Sequence, residues 1–257
     1  AVLDCGGYCE CRAVCLQGIV FYIGFVCRLC NNCYLWISEM ETNDEGILIC
    51  REFNPEAVVL ADGDYPSSPE ACAVLADAPF VACCDGAVDA FVAHGGEPQL
   101  IVGDGDSISE ENRSRYCSII RKIDEQENND LTKTMLQLKE MGYTRVAIVG
   151  ATGKREDHTL GNISLLLEYK RMGLDVRMVT DYGTFIPLCG SCELESFARQ
   201  QVSIFNFGAT GFSSEGLQYP IYDFTSWWQG SLNQVTGDRF SLSANGCYII
   251  FLSHTPK

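Results

Sequence analysis

Gly103-Asp104-Gly105-Asp106-Ser107 carries the strongest chemical signal in this chain. Two carboxylates two residues apart can point into one space from a tight turn. Glycines before and between them permit backbone shapes that other residues resist. Such a pair suits Mg²⁺, which takes a few protein oxygens and completes its shell with water and substrate phosphate. A plain Asp-Gly turn would look the same locally, so the surroundings decide. Asp62-Gly63-Asp64, Asp85-Gly86, Gln126 with Asp130-Leu-Thr132-Lys133, and the run from Gly150 to His158 each follow a short apolar stretch. A solvated surface would not sort its acidic and polar residues in this way.

The 150–158 run, Gly150-Ala-Thr152-Gly-Lys154-Arg155-Glu-Asp157-His158, has its own chemistry. Backbone N–H groups of a glycine-rich loop ahead of a helix can cradle phosphate. The glycine spacing is wrong for a Walker A loop, and Arg155 stands where Ser or Thr should follow the lysine. Lys154 and Arg155 suit a phosphate chain, arginine through its fork of donors. Asp157 and His158 orient neighbours or cap the helix.

The apolar stretches that must position these groups read as six strands, at 57–61, 80–84, 100–102, 119–123, 145–149 and 176–180. Helices alternate with them. Ser68-Pro69-Glu70 is a helix start. Leu131, Met135, Leu138 and Met141 recur at helical spacing between Asn129 and Gly142, and Ile163, Leu166 and Leu167 mark a helix ending at Gly173. This alternation predicts a parallel sheet covered on both faces. Right-handed crossovers then bring every strand's carboxyl end to one edge, where open sheets bind ligands. Beyond residue 183 the helical period gives way to short alternating runs between Gly and Ser turns, which predicts a smaller antiparallel sandwich or barrel. The expected division is a cysteine-rich extension over 1–55 outside the catalytic fold, an α/β domain over 56–182 and a β domain over 183–257.

Composition narrows the function classes. The 257 residues carry a formal charge of −16, which repels nucleic-acid backbones and anionic membranes. The apolar run at 13–27 is too short to span a bilayer, and lacks the basic lead and cleavage site of a signal peptide. Eight of the 15 cysteines fall within the first 50 residues. Cys9, Cys11, Cys27, Cys30 and Cys33 match no four-ligand metal pattern, and the thiols are read as reduced, in a cytoplasmic protein. Cys189-Gly-Ser-Cys192 has redox spacing but does not precede a helix. His94 and His254 read as structural. Trp227 and Trp228 fit either sandwich core or a stacking wall for a flat ring.

Taken in order, Asp85-Gly86, the 103–107 turn, Gln126 with Asp130 and Lys133, the 150–158 loop, Gly216-Leu-Gln-Tyr219-Pro220 and Gly230-Ser231-Leu-Asn233 resemble the thiamine pyrophosphokinase family, from about residue 57 to the C-terminus. The resemblance implies a Rossmann-like α/β domain followed by an antiparallel β-sandwich, working as a homodimer. It implies transfer of pyrophosphate from ATP to the thiamine hydroxyl, giving thiamine diphosphate and AMP. Asp104, Asp106 and Asp130 would then be the Mg²⁺ ligands and catalytic residues, with Asp130 facing the hydroxyl. Asp85, Lys133, Thr152, Lys154, Arg155, Asp157 and His158 would attend ATP. Gln126, Tyr219, Trp228, Ser231 and Asn233 would attend thiamine. Two departures stand out: Lys154 replaces a common glycine, and Leu232 holds a position where relatives have Ser. A Mg²⁺-dependent nucleotide phosphohydrolase and a non-catalytic nucleotide- or thiamine-binding module are the alternatives; neither accounts for both the late motifs and the full acidic set.

Overall fold

A computed structural model of the chain describes Val2–Asp4, Glu10–Leu16, Ile19–Gly24, Leu48–Cys50 and residues 53–257. Cys9, Cys27, Cys30 and Cys33 lie outside these residues. Strands β1 (Val2–Asp4), β2 (Glu10–Leu16) and β3 (Ile19–Gly24) form an antiparallel sheet of their own. β4 (Leu48–Cys50) joins a different sheet, described below.

The parallel part of the fold follows the apolar runs. β5 (Ala57–Leu60), β6 (Val81–Cys84) and β7 (Leu100–Gly103) are buried along their whole length. Strands covered on both faces have no polar side to show, which is why they read as unbroken apolar runs. β8 (Ile120–Lys122), β9 (Arg145–Val149) and β10 (Asp175–Val179) complete the set. Five helices connect them: α1 (Pro69–Ala76), α2 (Ala87–Ala93), α3 (Glu110–Arg115), α4 (Asp130–Glu140) and α5 (Glu156–Arg171). Val58 and Leu60 pack with Ala71, Leu75, Val88 and Phe91 on one face of the sheet. Ala57 and Val59 pack with Leu131, Met135, Leu138 and Leu166 on the other. The starts of α1 and α4 are capped as their sequences predict, whereas α5 begins after Arg155 with no side-chain cap. Ser68 Oγ accepts from the Ala71 N–H at 3.2 Å, and Asn129 Oδ1 from the Thr132 N–H at 2.9 Å.

Strand order places the site. The parallel strands lie in the order β10-β9-β5-β6-β7-β8. From β5 the chain steps outward to β8, then returns through α4 to β9 on the other side of β5. The crevice between β5 and β9 is therefore the switch point, where the connections leave in opposite directions and a ligand finds room.

The sheet does not stop where the helical period stops. β10 turns through Thr180–Gly183 and pairs antiparallel with β11 (Gly183–Cys189). The ten-stranded sheet then continues through β17 (Cys247–Pro256), β13 (Gln200–Asn206) and β15 (Asn233–Gln234). A second sheet, in the order β14-β16-β12-β4, covers this antiparallel end; it consists of β14 (Thr210–Glu215), β16 (Arg239–Asn245), β12 (Cys192–Glu195) and β4. Ile186, Ile204, Tyr248 and Ile250 face Leu194, Phe212, Phe240 and Leu242 across the sandwich core. No helix among the described residues is long and apolar enough to cross a membrane.

The thiols differ from the sequence expectation at one pair. β11 and β17 place Cys189 directly opposite Cys247, Cα to Cα 4.1 Å, and the two form a disulfide. Cys192 is instead buried in the sandwich, its Sγ 3.3 Å from the Tyr248 hydroxyl. The register of two strands far apart in sequence, not the Cys-x-x-Cys spacing, selected the partner.

The turn after β10 is tied to the start of α1. Asp181 accepts from the Ser67 and Ser68 N–H groups at 2.8 and 2.9 Å and from the Ser67 hydroxyl at 2.5 Å. Burial pushes its carboxyl up, but these bonds outweigh that and hold it below the ordinary carboxylate range. Asp181→Ala is expected to cost about 1–3 kcal/mol, lowering Tm by about 2–4 °C for each kcal/mol. A depressed carboxylate contributes stability above its unfolded pKa and loses it as pH falls through the folded one. The Tm gap between parent and variant should thus persist at neutral pH and close below about pH 4; thermal melts across that range would show otherwise if the gap stays constant.

Candidate active site

The loops after β5 and β9 meet backbone to backbone. The Gly63 N–H donates to the Gly150 carbonyl at 2.6 Å, and the Asp64 N–H to the Thr152 carbonyl at 2.8 Å. A β-carbon on Gly63 would stand 2.3 Å from the Thr152 oxygen and 2.4 Å from the Gly150 oxygen, so only glycine fits. The 150–155 loop is held in a left-handed shape at Gly150, Gly153 and Lys154, with φ of 65°, 79° and 53°. Lys154 thus occupies a conformation that glycine adopts at little cost.

A second contact sets the aspartate turn. Asp85, at φ 37° and buried, accepts from the Gly105 N–H at 2.9 Å through one oxygen and the Ser107 N–H at 3.0 Å through the other. Burial raises its pKa, the Ser107 and Gly105 bonds oppose that, and the Asp104 charge adds to the rise. A β-carbon at Gly103 would meet the Asp85 β-carbon at 2.7 Å. Arg113 of α3, which the sequence pattern did not single out, donates to the Gly105 carbonyl and, at 3.2 Å, to the Ile108 carbonyl. The turn is therefore gripped from both sides. Asp104 is half-buried and receives the Asp106 N–H at 3.0 Å, while Asp106 is exposed.

Asp130 opens α4 and is engaged by Lys133, whose ammonium is buried and 3.2 Å away. Asn129, the cap, also donates to Asn162 Oδ1 at 3.1 Å, and Asn162 donates to the Ala151 carbonyl at 2.9 Å. That relay ties the start of α4 to the loop after β9. The buried Cys84 thiol lies at the end of β6. Burial pushes its pKa up to about 12, the Thr134 hydroxyl bond opposes this, and Asp130, Asp62 and Asp85 each raise it further.

The remaining cations are paired too. Lys154 meets Asp62 at 2.8 Å, and Arg155 meets Asp157 at 3.0 and 2.5 Å. Thr152 is half-buried in its loop, and His158 is exposed on the first turn of α5. The expected three-aspartate metal cluster is not pre-assembled: among the described residues no three His, Cys, Asp or Glu side chains stand close enough to hold an ion. Asp104 folds back on its own turn and Asp130 leans on Lys133.

The residues expected around thiamine fall into two places. Gln126 lines an open cleft of about 630 Å³ with Glu125, Lys133 and Leu136, beyond β8. Tyr219, Trp228, Ser231 and Asn233 surround β15, the strand at the opposite end of the sheet. Nine inter-strand steps of the sheet lie between β8, the strand ahead of Gln126, and β15. Asn233 is buried and its amide holds the Tyr219 backbone, accepting at 3.1 Å and donating at 2.9 Å. Ser231 Oγ donates to the Trp228 carbonyl at 2.7 Å. Trp227 packs on Phe207, centroids 5.1 Å apart, whereas Trp228 is 75% exposed and Tyr219 56%.

Comparison with known proteins places these geometries in company. A family model described as thiamin pyrophosphokinase, catalytic domain, matches residues 71–178. One described as thiamin pyrophosphokinase, substrate-binding domain, matches residues 183–251. No curated protein matches the chain by sequence. Among solved structures, thiamine pyrophosphokinase from Bacillus subtilis is 20% identical, with a TM-score of 0.64 over 77% of this chain and 99% of its own. The Candida albicans enzyme is 17% identical, with a TM-score of 0.62 over 80% and 95%. The yeast enzyme is 16% identical, with a TM-score of 0.65 over 79% and 87%. At such identities the structures speak for the fold.

Asp85→Asn tests the grip on the aspartate turn. The amide cannot accept from both the Gly105 and Ser107 N–H groups. The variant should fold, losing about 1–3 kcal/mol, while turnover falls at least about tenfold as the turn shifts. Unchanged turnover at unchanged Tm would show that the turn does not depend on Asp85.

Proposed function

Since the chain belongs to the thiamine pyrophosphokinase family, we propose a division of labour in which the switch-point edge holds Mg²⁺-bound ATP and a homodimer completes the thiamine pocket. The reaction is transfer of pyrophosphate from ATP to the hydroxyl of thiamine, giving thiamine diphosphate and AMP.

The observation that carries the nucleotide assignment is the meeting of the loops after β5 and β9 at the switch point, where the Gly63 and Asp64 N–H groups bond the Gly150 and Thr152 carbonyls and Lys154 reaches across to Asp62. Lys133, Lys154 and Arg155 are each already neutralised by an aspartate. A bare triphosphate would therefore meet net negative charge, which favours arrival with a divalent ion. The donors fit Mg²⁺: they are carboxylate oxygens on exposed turns, and this ion accepts one or two carboxylates and takes its other ligands from phosphate and water. Asp104 and Asp106 would hold it, with Asp130 close by. Bound there, Mg²⁺ would offset charge on the non-bridging phosphate oxygens.

The chain's own groups divide the rest. Lys154 and Arg155 face the phosphate chain, Thr152 and the loop amides line it, and Asp157 and His158 steer Arg155 at the mouth of α5. Asp130, held by Lys133, orients the thiamine hydroxyl and accepts its proton as the oxygen attacks the β-phosphorus. The bond from that phosphorus to the α–β bridging oxygen breaks, and AMP leaves.

The homodimer is supported by the separation of Gln126 from Tyr219 and Trp228. One chain cannot close both around a small molecule, whereas a second copy can bring its β15 end to the first copy's Gln126 cleft. Exposed Trp228, Tyr219 and Leu232 offer the apolar surface such a contact needs. Asn233 serves by fixing the Tyr219 backbone. A cytoplasmic setting fits ATP as a substrate.

Mass spectrometry after incubation with ATP, Mg²⁺ and thiamine should show thiamine diphosphate and AMP in equal amounts. AMP or ADP formed at the same rate without thiamine would favour a phosphohydrolase. Asp130→Asn should lower turnover by about 10²-fold or more, the usual range for a lost general base, with an unchanged melting profile; near-parental turnover would refute its role.

A further inference from the structure

Asp62, so far only the partner of Lys154, sits at the centre of the switch point. It follows β5, the strand between the other loops of the site. One carboxylate oxygen holds the Lys154 ammonium at 2.8 Å. The other faces the turn after β6, 3.4 Å from where a β-carbon on Gly86 would stand. Its backbone neighbours cannot drift, because Gly63 and Asp64 are bonded to Gly150 and Thr152. Gly153, next to Lys154, leaves no space for a β-carbon beside Asp64, which would come within 2.0 Å of a carboxylate oxygen. Asp62 is thus fixed between the aspartate-bearing turn on one side and the lysine-bearing loop on the other. The pair is about half exposed at both ends, so it exchanges partners readily.

We propose that Asp62 is a specificity-determining residue that competes with phosphate for Lys154 and thereby selects divalent-bound over metal-free nucleotide. When a triphosphate enters, the Lys154 ammonium turns from Asp62 to the phosphate. That movement exposes the Asp62 charge to the incoming anion. A metal-free triphosphate meets it as strong repulsion; a divalent-bound one, part of whose charge the ion offsets, meets it as much weaker repulsion. This inference rests on reading the 150–155 loop as the phosphate loop, and the two fail differently.

The test is isothermal titration calorimetry of the full chain with ATP and no thiamine, once in EDTA and once in excess Mg²⁺. Three variants are compared with the parent after thermal melts confirm folding: Asp62→Asn, Asp62→Glu and Lys154→Ala. Asn keeps the shape and still accepts from Lys154, so only the charge is removed. Asp62→Asn should tighten metal-free ATP about five- to tenfold, the size expected for one charge at a half-exposed site. It should change Mg²⁺–ATP affinity by less than about twofold, so the preference narrows. Asp62→Glu should keep the parental preference. Lys154→Ala should weaken both forms about fivefold or more. If Lys154→Ala weakens ATP while Asp62→Asn leaves the preference unchanged, the selection role is overturned and the phosphate loop stands. If Lys154→Ala leaves ATP affinity unchanged, the loop assignment falls and this role falls with it.

Discussion

Everything chemical at the working edge of this molecule depends on two contacts with no room for a β-carbon. One joins Gly63 to the Gly150 and Thr152 carbonyls; the other sets Gly103 against Asp85. Each lets loops from different strands approach at backbone distance. The first brings the acidic turn after β5 onto the cationic loop after β9, across the switch point. The second lets a buried carboxylate receive two amides and fix the turn bearing Asp104 and Asp106. Parallel strands deliver the loops to one edge; these contacts lock them there.

The locked edge is electrostatically unusual. Its cations are not poised in the open but stored against aspartates, Lys133 on Asp130, Lys154 on Asp62 and Arg155 on Asp157. Each pairing sets a cation against a carboxylate at the same edge, which lowers the net charge there. Asp157 shows the pairing: the Arg155 hydrogen bond pulls its pKa down, and desolvation opposes this. The ten-stranded sheet adds a longer-range constraint. It carries the loops of the β5–β9 crevice at one end and the exposed aromatic residues around β15 at the other.

Much of this was legible from residues alone. Strands buried on both faces betray themselves as apolar runs, and the α4 period of Leu131, Met135 and Leu138 is unambiguous. The acidic and polar residues after the parallel strands stand on the loops at one edge of the sheet, as their order in the sequence implies. What sequence could not show is pairing between distant segments. The β10–β11 junction continues the sheet because the Thr180 N–H and hydroxyl both reach the Gly183 carbonyl, a local turn with a global result. The Cys189–Cys247 bond depends on a register across 58 residues. Asp85 and Asn233 look like ligand residues by type, but their polar atoms hold neighbouring backbone. Arg113 carried no signal in a polar helix, and its grip on the aspartate turn follows only from where α3 ends up.

The most direct measurement is a crystal structure of the chain with a non-hydrolysable ATP analogue and Mg²⁺. The account predicts the phosphate chain at the β5–β9 crevice, with Lys154 or Arg155 bonded to it and the ion on carboxylates of the 103–107 turn. Nucleotide density seated at another edge of the sheet, with the Lys154–Asp62 and Arg155–Asp157 pairs intact, would contradict it.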